Sequence, residues 1–112
     1  MRLRVAVLFL AAGTLAGVLS AETWKNVSLI DSQCVDKAKA NPDKHTVKCA
    51  LNCVDGGYGI LTSDGKYLKF DDAGNKKALA ALHATKKTDS LRATVEGTVT
   101  GDEIKVTNLT LD

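Results

Sequence analysis

A protein that holds a nucleic-acid backbone normally carries an excess of Lys and Arg. This chain carries none once its first residues are set aside. Of its 15 basic residues, Arg2 and Arg4 stand at the extreme N-terminus, which leaves 13 against 13 acidic ones. Nucleic acid is therefore not an expected partner. Aromatics are scarce too: Trp24, Tyr58, Tyr67 and Phe70 are all that follow residue 21. Four rings are about what a small core needs, which leaves little for a tract of stacked bases or sugars. The chain has no C-x-x-C-H haem motif, no C-x-x-C dithiol, no Ser/His/Asp set and no glycine-rich phosphate loop. The sequence thus leans away from an enzyme. No repeat, low-complexity tract or linker marks a second domain.

A long membrane-spanning run is also missing. Arg2 and Arg4 precede an uncharged, mostly apolar stretch from Val5 to Leu19, followed by the small residues Ser20 and Ala21. That run falls short of the roughly 20 residues needed to cross a bilayer. It has instead the build of a secretory signal peptide, residues 1–21, cut after Ser20 or Ala21. The expected mature chain, residues 22–112, is one small domain, secreted or periplasmic, with no membrane span.

What the mature chain does contain is a clear alternation of elements. Residues 22–32 (ETWKNVSLIDS) read as a strand. YGILTSDGKYLKFD reads as two strands turned at Asp64-Gly65. DDAGNKKALAALHATKK reads as a helix capped at Asp72, with Leu79 and Leu82 on one face. SLRATVEGTVTGDEIKVTNLTLD reads as a second hairpin turned at Gly101-Asp102, with bulges expected at Gly97 and between Val106 and Leu109. Five strands with a helix between the third and fourth resemble an OB-fold, the small Greek-key barrel. The predicted fold class is all-β with one or two helices, and a Cys/His helical insertion separates strands 1 and 2.

That insertion concentrates the chemistry. Asn41 can cap a helix, Pro42 suits its first turn and Gly56 or Gly57 its end, which predicts one helix over Pro42–Val54. At about 100° per residue, Cys49 and Cys53 then fall roughly 40° and 80° from His45, beside the apolar stripe. The third cysteine, Cys34, lies upstream, and three thiols cannot all pair within one chain. One reading is a soft-metal site for zinc or copper, with Cys34, Cys49 and Cys53 as thiolates and His45 as the imidazole. Asp31, at the end of the first strand, could orient His45 from outside the ligand set. A second reading is a disulfide between Cys34 and either Cys49 or Cys53, stapling a module for a peptide, glycan or protein partner. Cys49 and Cys53 bridge each other poorly, since neighbours four apart on a helix sit too far apart. A third, weaker reading is a thiol-redox enzyme using Cys49 or Cys53.

The C-x3-C pair with a histidine resembles the ligand set of copper chaperones of the Sco type, although their thioredoxin fold conflicts with this order of elements. The segments DSQC, HTVKCALNC, YGILTSDGKYLKFD and GTVTGDEIKVTNLTLD resemble a family of small exported bacterial proteins of unknown function. That resemblance implies the fold and the importance of the insertion, and supplies no mechanism.

Overall fold

A computed structural model describes residues 21–112. All but the last residue of the expected signal peptide lies outside this range. The elements are β1 (Glu22–Asp31), α1 (Val35–Ala38), α2 (Val47–Asn52), β2 (Tyr58–Leu61), β3 (Tyr67–Phe70), α3 (Asp72–Ala84), β4 (Arg92–Thr100) and β5 (Glu103–Leu111), with short 3-10 turns at Ser32–Cys34, Pro42–Lys44 and Val54–Gly56. No helix among the described residues is long and apolar enough to cross a membrane.

The five strands close into a barrel in the order β1-β2-β3-β5-β4. All neighbours are antiparallel except β3 and β5, which pair in parallel through Lys69 with Glu103 and Phe70 with Ile104. The chain is an OB-fold-like barrel, as its element order implied. The Asp64-Gly65 hairpin forms with Gly65 at φ +84, the left-handed conformation such a turn requires. One bulge accounts for both irregularities expected in the last hairpin. Gly97 faces Val106 while Glu96 faces Asn108, so Thr107 is left without a partner. A further bulge, in β1, was not expected. Trp24 faces Val95 and Val27 faces Ala93, so two residues stand opposite one, and Asn26 takes φ +55.

The barrel interior is filled by alternate strand residues, including Leu29, Ile60, Leu68, Val95 and Ile104, all buried. Helix α3 closes one end with Ala78 and Leu82. Its cap is Asp71, one residue before the expected Asp72. The Asp71 carboxylate accepts from Gly74 N at 3.0 Å and from Val106 N at 3.1 Å, so the cap also ties the helix to β5. Gly74 leaves room for that contact, because a Cβ there would meet Val106 and Phe70.

The insertion leaves the barrel at Asp31 and returns at Tyr58, and these two residues are register partners. Its neck is drawn shut by Ser32 N donating to Gly57 O at 3.0 Å, and by Ser32 Oγ donating to Gly56 O. Gly57, at φ +79, makes the return turn. Farther out, Val47 N donates to Thr88 O and Ser90 N to Asp43 O, both at 2.9 Å. The insertion is thereby moored to the segment between α3 and β4.

Candidate metal centre

The single helix expected over Pro42–Val54 does not form. Pro42–Lys44 is one 3-10 turn, His45 is extended (φ −70, ψ 131), and the helix begins only at Val47. Thr46 competes with Asn41 for the cap and wins: its Oγ1 accepts from Cys49 N at 3.1 Å, whereas Asn41 makes no side-chain cap bond. The helix stops at Asn52, and Cys53 sits past its end at φ −110, ψ 30. His45, Cys49 and Cys53 therefore do not share a helical stripe.

The break redirects each side chain. Extended backbone at His45 turns the imidazole inward, where it is only 9% exposed. Its Nε2 donates to Asp31 Oδ1 at 2.7 Å. Cys53, beyond the helix, falls beside Cys34 in the 3-10 turn that follows β1. An oxygen of Asp31 and the sulfurs of Cys34 and Cys53 all lie within 4.8 Å of one another. Among the described residues, this is the group able to hold a metal ion. Cys49 is exposed on α2 and outside it.

Asp31 holds the centre of this arrangement. It is fully buried, with one oxygen bonded to His45 and the other, Oδ2, without a hydrogen-bond partner. A buried carboxylate ordinarily has all its acceptor positions met, because desolvation without compensation costs several kcal/mol per ion. Around it the local chemistry bears the marks of that negative charge. Burial pushes the Cys34 thiol up to about 11, and the neighbouring Asp31 and Cys53 push the same way. Burial first, and Asp31 next, also raise the phenols of Tyr58 and Tyr67. The Tyr67 hydroxyl donates to Ile30 O at 3.0 Å and that of Tyr58 to Ala50 O at 2.8 Å, so neither meets Asp31's free oxygen.

Of the predicted residues, then, Cys34, Cys53, Asp31 and His45 come together, while Cys49 stands apart. Asp31 enters the metal-competent group and His45 stands behind it, the reverse of the arrangement expected from the sequence. The cue was present in Leu29-Ile30-Asp31: a carboxylate closing a wholly buried strand end must be paired with something. All three cysteines are free thiols. The expected Cys34–Cys49 pairing has no geometric support, and Cys34 and Cys53 are close without being bonded. The exposed His83 lies on α3, outside this group. No family model, curated protein or solved structure matches the chain.

Proposed function

We propose that this is an exported protein, secreted or periplasmic, that binds zinc at the root of its insertion. Cys34 and Cys53 would supply thiolates and Asp31 a carboxylate oxygen, with His45 holding the carboxylate from behind. The observation that carries this reading is the buried Asp31, with an oxygen lacking any partner, beside two thiols. A divalent cation would satisfy the orphan oxygen and neutralise the charge. Of the two metals expected from the sequence, the donor set favours zinc. Copper(I) favours sulfur alone, whereas zinc accepts thiolate and carboxylate together. Three donors are one short of a closed tetrahedral site and leave a position open to water or an outside ligand. The reading is therefore of a metal-binding or metal-carrying protein rather than a zinc-stapled structural module.

The test is metal content by mass spectrometry beside a thiol count, after reconstitution with zinc under reducing conditions. Near-stoichiometric zinc is expected; less than about 0.1 ion per chain would sink the proposal.

A second reading is favoured by the same proximity. Oxidation of Cys34 and Cys53 to a disulfide would staple the neck and leave Cys49 as the spare thiol. Protein from its native compartment, unfolded without reductant, would then show one free thiol per chain, and its stability would ignore chelators. Three free thiols would reject it.

A further inference from the structure

The barrel carries a second concavity away from the thiols. It is an open cleft of about 490 Å³, bounded by the bulged part of β1, the β2–β3 turn and the first half of the insertion. That volume is within the range of small binding sites. Three observations bear on its use.

First, the cleft exposes a bare strand edge. Pairing of β1 with β2 runs out at Ser28 and Leu61. From Thr23 to Val27 the strand has β4 on one side and lines the cleft, with Asn26 O already taken by Arg92. Such an edge offers unpaired backbone groups to another extended chain. Second, the cleft is cationic although residues 22–112 carry 13 basic against 13 acidic side chains. Lys25, Lys39 and Arg92 line it, and no acidic side chain does among the described residues. Arg92 is committed, bonding Asp43 at 2.9 and 3.1 Å and Asn26 O at 3.1 Å. Lys25 and Lys39 are exposed and in no ion pair among the described residues. Third, Trp24 stands in the wall and remains partly exposed. The core takes Tyr58 and Phe70, and Tyr67 is fixed to Ile30 O, so Trp24, packed on the core along one side only, is the ring with surface left for contact.

The bulge joins these features. In a regular strand, consecutive side chains face opposite ways. Here the shift between Trp24 and Val27 lets successive residues, Trp24 and Lys25 included, line the same cleft. Lysine on an edge also discourages pairing with a second copy of the same chain. It does not discourage an acidic strand.

We propose that this cleft takes a short acidic segment of another protein, extended alongside residues 23–27 of β1. Its carboxylates lie against Lys25 and Lys39, and an apolar side chain rests on Trp24. Main-chain pairing holds the segment, and the two ammonium groups select its charge. One ring and two free cations are too few to follow a nucleic-acid strand.

Trp24 is the only tryptophan in the chain, so the emission is its own; because it also borders a shallower depression with Leu68 and Val99, the K25A/K39A variant ties a shift to this cleft. The probes are a capped peptide of alternating Asp and Val, the same peptide with alternate amides N-methylated, a Lys/Val counterpart, and glucuronic acid. The Asp/Val peptide is expected to shift Trp24 emission and to bind at least about tenfold tighter than the other three. Replacing both exposed lysines, K25A with K39A, is expected to weaken it about tenfold with the thermal midpoint unchanged. Equal binding of the N-methylated peptide would overturn strand addition. Equal binding of glucuronic acid would assign the cleft to small anions instead. No change in emission into the millimolar range would remove the site altogether.

Discussion

Replacing His45 with Ala removes the hydrogen-bond partner of a wholly buried carboxylate. The pair is closed to solvent on both sides, with side-chain exposures of 7% for His45 and 0% for Asp31. Its 2.7 Å contact is Asp31's one bond from a nitrogen donor; Oδ2 lacks a partner, and the Cys34 thiol is the other group that bonds the carboxylate. His45→Ala thus leaves the carboxylate with no partner beyond a thiol, a weak donor. Removing one member of a buried pair costs about 3–5 kcal/mol, and the imidazole's burial adds a cavity. Some water will enter the gap, so we take the lower end, about 3 kcal/mol, or roughly 12–24 °C in a domain of this size. The assay is urea unfolding and thermal melting with reductant and chelator, for wild type, His45→Ala, Asp31→Asn and the double variant. The double variant should be more stable than the sum of the single losses implies, because each removes the other's partner. Zinc should then separate the roles. It should raise the wild-type midpoint, raise that of His45→Ala less, and leave Asp31→Asn nearly unmoved. A midpoint for His45→Ala within about 0.5 kcal/mol of wild type, as for an ordinary surface change, would refute the reasoning.

Three further outcomes follow from the geometry. Cys34→Ser and Cys53→Ser should each weaken zinc binding by more than about 100-fold, the upper end for losing an outer partner such as His45; Cys49→Ser should leave it unchanged, as read by chelator competition. In metal-free protein, the Cys34 thiol is raised from 9.0 to about 11 on folding. A raised folded value favours the protonated fold, so its contribution is full below 9.0 and lost as pH rises through about 11. Tyr58 and Tyr67 titrate in the same alkaline direction, so the measure is the difference in midpoint between wild type and Cys34→Ser from pH 8 upward, and a constant difference would be contrary. Asp71→Ala unties Gly74 N and Val106 N together and should cost about 1–2 kcal/mol by urea unfolding.

The barrel was legible in the sequence because its signals are local. Asp64-Gly65 and Gly101-Asp102 mark their own turns, and the strands between them alternate in a period the chain displays directly. Gly97 and the phase change after Val106 even disclosed a bulge. The metal centre was half legible. Cys34, His45 and Cys53 stand out by chemistry, but their positions depended on where one helix began. Asn41-Pro42 reads as the start, whereas Thr46 caps in the structure. That choice moves His45 off the helix and Cys53 past its end. Asp31 was underrated for another reason. Its setting is made by residues distant in sequence, its register partner Tyr58 and its bonded His45, and no local pattern at Asp31 shows that burial. The β1 bulge was hidden likewise, since it arises from how β1 meets β4 rather than from any cue at Lys25 or Asn26.

The neck at Asp31 and Tyr58 has a bearing on how such a protein can change over generations. Because the two residues face each other across neighbouring strands, residues 32–57 could lengthen, shorten or be exchanged while the strands stay in register. Lengthening a loop is thermodynamically cheap, each doubling costing about 0.6 kcal/mol. Both sulfurs of the centre belong to that replaceable piece, whereas the carboxylate belongs to the barrel. A lineage could therefore redesign its sulfur chemistry, provided each new insertion keeps a partner for Asp31 in the place of His45, and still inherit a buried acid from the scaffold.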